Sequence, residues 1–390
     1  MSYSAREAFL ALFRGEPVQN VPCVYDLTYW RTAHQSAGDL PDRYRGHDGF
    51  LRLHHDLGVM PYYVYSLESD AGDSEVPGHE TDGKGGAFTG VWSSRYRGVE
   101  TRKETEGLVS RTTMSIVGHE LVYERTYLPQ SYCWSVSRYP VRSPADLAAL
   151  RALYERLEFA PAYERYLAVE RRWGDAGYPL AVLPRSPVAA LVVDWMGLEG
   201  FTFALSDWPD EVGRTLDCIE RANDPAFDIV CRSKPEVFHF ADNISGAMVS
   251  SFFDSLSAKG YRRRFRELHD AGKKAAVHID GTVRGILRRF AECGADAAES
   301  LTPRPVGDLG LEELRTEAGN DTLILWGGIP ASMLTPQYTA ADIDRHMRLL
   351  VSCLDRNRPF IAGSADQVPP DADLGHVRRS TEALASFGRV

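Results

Sequence analysis

Apolar residues recur along this chain in two different periods, and the change between them marks its organisation. Over residues 5–14, Phe9, Leu10, Leu12 and Phe13 fall on one side of a 3.6-residue repeat, which predicts an amphipathic helix. The run VPCVYD (21–26) is short and apolar and predicts a buried strand ending on Asp26. GFLRLHHDLG (49–58) has a helical period and ends on a glycine in the C-cap position, before a second predicted strand, MPYYVYS (60–66). Between about 64 and 140 the period shortens to two, in stretches such as LVSRTTMS and ELVYERTY that are rich in Thr, Ser, Tyr and Val. That pattern predicts an inserted antiparallel sheet. SPADLAALRALYERLEF then opens a helix, with Ser143 as N-cap and Asp146 three residues on.

Beyond that helix the alternation is regular. Short apolar runs at YPLAVLP, EVFHFAD, KAAVHID, ADAAES, TLILWGG and PFIAGSAD are separated by helical patterns near 209–232, 251–271, 283–293, 309–318, 338–355 and 373–387. With the two early strands this makes eight, mostly joined by helices. The expected class is α/β: a (β/α)8 TIM barrel forming a single domain over residues 1–390, with the β-rich insertion at about 64–140. An open doubly wound sheet is the alternative, but no Gly-rich phosphate fingerprint follows the first strand.

Composition narrows the class. The chain is 44% hydrophobic and 25% charged, enough apolar material for a large core. A net charge of −10 argues against a nucleic-acid partner, whose electrostatic footprint is basic. No run reads as the ~20 apolar residues of a membrane helix, and the N-terminus has no unbroken apolar core of a signal peptide, so a cytoplasmic protein without a membrane partner is expected. The six cysteines are scattered without a CxxC pair, which predicts reduced thiols. YRRRFRELHDAGKK (261–274) reads as a solvated helix face and GKGG (83–86) as a turn.

In such a barrel the reacting groups come from the C-terminal strand ends. There the chain places Asp26, Tyr29 and Trp30, then Arg185, Asp242 and Asn243, then His278 and Asp280, then Glu299, and finally Asp366 and Gln367. An aspartate after a strand can simply cap the next loop or helix. Several carboxylates in one low-dielectric mouth, however, repel one another unless a cation offsets them, a cost without a benefit to stability. His278 and Asp280, two apart on an extended segment, are expected to share a face. Asp26, Asp242, His278 and Asp280 are the candidate catalytic groups. Tyr29, Trp30, Arg185, Asn243, Asp366 and Gln367 are candidates for holding substrate. His278, Asp280 and Glu299 form a candidate site for a divalent metal (Zn, Fe or Mn), since nitrogen and oxygen donors suit those ions.

These residues carry a resemblance. REAFLALFRGEPVQNVPCVYDLTYW, FADN before a long helix, HIDG after HDAGKKAAV, and LILWGGIP resemble the uroporphyrinogen decarboxylase superfamily, which includes the methylcobalamin:coenzyme M methyltransferases. The resemblance implies a (β/α)8 barrel, an enzyme acting on a small molecule, and often a homodimer. Two departures stand out. The arginine-rich motif RQAGRYLPEYR that grips porphyrinogen carboxylates is replaced by LTYWRTAHQSAGDLPDRYRG, and the HxC zinc motif of the methyltransferases is met by His278 with Asp280 in the cysteine's place. The second zinc cysteine falls near Ser364 or Ala365. The expected function is therefore a decarboxylase-type lyase acting on a carboxylate other than uroporphyrinogen. The alternative is a methyltransferase, with a corrinoid protein as partner and an altered His/carboxylate metal site. A barrel used only for binding is the third reading, and it is disfavoured by the charge kept at the strand ends.

Overall fold

A computed structural model of the chain describes residues 3–62, 87–88 and 90–387. Local signals account for many of its elements. Ser4 and Glu7 exchange hydrogen bonds at the start of the helix Ala5–Phe13, at 3.2 and 2.9 Å, satisfying two donors that the helix cannot. Ser143 caps the helix Pro144–Tyr154 by accepting from the Asp146 N–H at 3.2 Å. Gly58 ends the helix Gly46–Leu57 at φ +67°, where a side chain is disfavoured.

Among the described residues the strands form three sheets. β1 (Ala87–Phe88), β2 (Trp92–Tyr96) and β7 (Leu157–Pro161) make a small antiparallel one. β3 (Glu100–Glu106), β4 (Val109–Ile116), β5 (His119–Leu128) and β6 (Cys133–Arg138) make a four-stranded antiparallel meander. The third is parallel, with neighbours in chain order: β8 (Ala181–Val182), β9 (Val237–Ile244), β10 (Lys274–Ile279), β11 (Ala297–Leu301), β12 (Ile324–Pro330) and β13 (Phe360–Ala365). Backbone bonds continue beyond both of its edges. Val24 N–H donates to Ala362 O at 2.8 Å, Met60 N–H to Cys23 O at 2.8 Å, and Leu180 N–H to Tyr62 O at 2.6 Å. The segments around 23–24 and 60–62 thus run from β13 round to the residues before β8.

The pleat sorts these strands into two faces. Val237, Ala276, Ala297, Ile324 and Ile361 gather on one of them with Val24, Met60 and Leu180, against Phe9 and Phe13 of the first helix. Phe238, Phe240, Val277, Ala298 and Leu325 face the other way, into the larger core formed with the helices. Gly363 has no room for a side chain, because a Cβ there would stand 1.8 Å from Val24 O. Gly363→Ala is expected to cost about 1–3 kcal/mol or more through overpacking, read as a lower melting temperature. An unchanged melt would mean that the 22–24 segment is not held against β13.

Several expectations change. The first predicted strand is present only as single bridges at Cys23, Val24 and Asp26, and of MPYYVYS only residues 60–62 are described. The rest of that strand, the start of the predicted insertion and GKGG lie outside the described residues. The antiparallel structure also reaches past 140: LEF, read as the end of a helix, belongs to β7, because Trp92–Tyr96 offers it a complete ladder. Helices at Thr28–Ala37 and Tyr163–Trp173 were not predicted. Nor was the stretch Pro187–Asp207, which by length and composition alone would suffice to cross a membrane; 61% of its apolar window is buried in the fold, with Leu191, Trp195 and Phe201 fully covered. Arg264, on the face expected to be solvated, is buried and ion-paired to Glu220, Asp224 and Glu267. All six cysteines are unpaired.

Candidate active site

One step along the pleat from the apolar layer of Val237, Ala276 and Ala297, the same face turns polar. His239, His278 and Glu299 follow those residues by two positions on β9, β10 and β11, and His278 stands in register with Glu299. His278 Nδ1 donates to Glu299 Oε2 at 2.6 Å, His239 Nε2 donates to the same oxygen at 3.1 Å, and the Tyr62 hydroxyl donates to Oε1 at 3.2 Å. An ionised carboxylate only accepts, so both ring nitrogens carry hydrogens in this arrangement. The two rings lie 5.9 Å apart and nearly perpendicular. All three side chains are buried, at 0, 5 and 1% exposure.

Burial at this depth works against charge, yet the pair keeps it. For Glu299, burial alone would raise the carboxyl, but the His278 charge and the bonds from both imidazoles outweigh it and hold it well below the usual carboxylate range. Burial likewise lowers His278, and the Glu299 charge and hydrogen bond, helped by Asp366 and Asp280, reverse this and raise the imidazole to about 9. Donor atoms of His239, His278 and Glu299 all lie within 4.8 Å of one another, so the three can hold one metal ion. Two imidazole nitrogens and a carboxylate oxygen fit zinc, iron or manganese, and no thiolate is among them.

Asp280 does not join this cluster. β10 ends at Ile279 and Gly281 takes φ +105°, so the chain leaves the pleat and Asp280 is exposed to solvent. Its charge still acts on His278, as does that of Asp366, an exposed residue at φ +72° just past β13. Asp26 is buried at 2% and accepts from Thr28 N–H at 2.9 Å, Thr28 Oγ1 at 2.5 Å and Gln367 Nε2 at 3.1 Å. Burial raises its carboxyl to about 6 despite those three bonds, and the Asp366 charge adds to the effect.

Asp242 faces the other way from His239. It stands on the opposite side of the pleat, where it accepts from Ser186 N–H at 3.0 Å and from the Tyr261 hydroxyl of the helix Ala258–Asp270. It thus braces the strand against its helix, and the expectation that it joins His278 as a catalytic group is corrected by that parity. Tyr29 donates its hydroxyl to Ser131 O in the β5–β6 turn, and Trp30 is buried against His34, ring centroids 4.2 Å apart. Arg185 and Asn243 meet at 3.3 Å. Sequence reasoning missed His239 and Tyr62. For His239 the signal was present: FHF places one polar side chain on the inner face of a strand that is otherwise apolar.

Comparison with known proteins agrees with this architecture. No curated protein matches the chain. A solved structure, a methyltransferase from Methanosarcina mazei, superposes with a TM-score of 0.57 and 14% identity over 99% of both chains, a likeness of fold. The model of the family described as Uroporphyrinogen decarboxylase (URO-D) matches residues 123–387, well over half of the sequence. The chain therefore belongs to the uroporphyrinogen decarboxylase family.

Proposed function

We propose that this protein is a methyltransferase-type enzyme of its family, working from a His239/His278/Glu299 metal centre. In this reading the six parallel strands and the segments at 23–24 and 60–62 close into a single-domain (β/α)8 barrel, with the centre in its mouth. The convergence of two imidazoles and one carboxylate from three adjacent strands carries the proposal. A divalent ion bound there supplies Lewis acidity that activates a nucleophile near neutral pH. Tyr62 holds the Glu299 carboxylate in orientation through Oε1, as outer partners of metal ligands do. The charges of Asp366 and Asp280 act on His278, and in this reading one of these exposed carboxylates accepts the proton that the nucleophile gives up. The nucleophile then bonds to the methyl carbon while the donor–methyl bond breaks, its electron pair staying with the donor. A cytoplasmic corrinoid protein is the proposed donor, and the enzyme acts as a homodimer.

Metal analysis combined with two variants tests this reading. The purified protein is expected to hold one zinc, iron or manganese ion per chain and to move a methyl group from methylcobalamin to a small thiol. His239→Ala is expected to lose the ion and to lower turnover roughly 100-fold, whereas Asp280→Ala keeps the ion. An ion retained by His239→Ala but lost from Asp280→Ala would overturn the assignment. The decarboxylase-type reading is supported by the Asp26 carboxyl, whose value near 6 suits a proton donor. Release of carbon dioxide by metal-free protein would favour it.

A further inference from the structure

Arg185 stands apart from the His/His/Glu centre and has a different kind of order. It lies three residues past β8, in a loop whose pairing continues through Leu183 N–H to His239 O at 2.8 Å. Its backbone carbonyl accepts from Asn223 Nδ2 at 3.5 Å, and the next residue, Ser186, is tied to Asp242. The guanidinium itself is held at two points. Nε pairs with Asp194 Oδ1 at 3.2 Å, and Nη1 donates to Asn243 Oδ1 at 3.3 Å. Asp194 is buried within the wide π-type turn Ala190–Met196, a form frequent at functional sites. Asn243 sits at φ +50°, a left-handed backbone that asparagine tolerates better than most residues. The Tyr139 ring closes the far side of the turn, so near Gly197 that a Cβ there would meet it at 2.7 Å.

This arrangement orients a guanidinium without using it up. Of its five N–H donors, Nη2 meets no partner among the described residues, and the side chain remains 23% exposed. At that exposure Nη2 is left to solvent, which an acceptor brought by a ligand can replace. We propose that Arg185, oriented by Asp194 and Asn243, is the anchor for a carboxylate of the substrate. The planar fork can hold a carboxylate through directed N–H···O bonds. β8 and β10 are separated by one strand, so their backbones lie about 10 Å apart and the carboxylate would sit away from His278. The expected substrate class is thus a small carboxylic acid whose reacting atom lies several bonds from the acid group. This inference rests on reading the strand ends as one reaction centre, but it does not require the metal.

Calorimetric titration of the full-length protein at constant ionic strength tests it, with acetate, benzoate and glutarate as probes and glutaramide and sulfate as controls. Wild-type protein is expected to bind at least one of the carboxylates saturably, and Arg185→Gln to bind it at least ten-fold more weakly with unchanged metal content. If the lone charge left on Asp194 unfolds that variant, Arg185→Gln combined with Asp194→Asn restores neutrality and should show the same loss. Carboxylate binding that survives in the double variant overturns the proposal. So does wild-type protein that binds none of the three, or binds glutaramide or sulfate as tightly. Arg185-dependent binding by a protein that holds no metal would reject the metal centre and leave the carboxylate anchor standing.

Discussion

Glu299→Gln is expected to empty the metal site and to destabilise the protein by about 3–5 kcal/mol, the scale for removing one partner of a buried charge pair. Glu299 is the common acceptor of the cluster: His278 and His239 both donate to Oε2, and Tyr62 donates to Oε1. Glutamine keeps the shape but removes the charge, and its amide nitrogen can only donate. In metal-free protein the buried His278, at 5% exposure, would lose the counter-charge that keeps it protonated. Two imidazoles alone also make a poor divalent site. Denaturant melts of wild type and variant, with metal content measured on the same samples, check both halves. A variant that melts like wild type and keeps its ion would show that Glu299 neither balances His278 nor binds metal.

Asp26→Asn should do the opposite to stability. The folded carboxyl lies at about 6 against an ordinary 3.8, raised chiefly by burial and lowered in part by Thr28 and Gln367. A carboxyl raised on folding favours the protonated native state. Stability therefore falls as pH rises from about 4 to about 6, and the full cost, about 3 kcal/mol on this difference, is in force above pH 6. Asparagine removes the charge, and its Oδ1 can still accept from Thr28, so at pH 8 the variant is expected to melt higher by several degrees. At pH 4 the advantage should vanish. Under the decarboxylase-type reading turnover is also expected to fall roughly 100-fold, the scale of lost acid–base help, whereas under the methyltransferase reading it should stay close to wild type. A variant that is less stable at pH 8 than wild type would mean that the Asp26 hydrogen bonds outweigh its burial.

Taken together, these two residues separate two roles that buried carboxylates play in this chain. Glu299 is fully paired and holds its neighbours, so its loss is felt as structure and as metal. Asp26 is buried with no cation bonded to it among the described residues, and it spends its acceptors on Thr28 at the start of the helix Thr28–Ala37 and on Gln367, so its charge is a burden on stability. The same contrast distinguishes Asp242, whose acceptors are taken up by Ser186 and Tyr261 and which reads as a brace.

By itself, the sequence determined the periods and their punctuation. Runs such as KAAVHI and PFIAGSAD specify strands because both faces of a covered parallel strand are apolar, and Ser143 and Gly58 mark helix ends through caps that need only their own neighbours. His278 and Glu299 were legible for the same local reason, since each stands near the C-terminal end of such a run, directly behind apolar residues. The tertiary structure alone decided which side chains meet. His239 joins the centre because β9 pairs beside β10, while Asp280 leaves it because Gly281 turns the chain at φ +105°. Asp242 faces a helix because its parity is opposite to that of His239, and LEF becomes a strand because β2 is there to receive it. Period is a property of the adjacent residues, but pairing partners and the backbone angles at a strand's end are set by segments far away in the chain, and those are what aim a side chain.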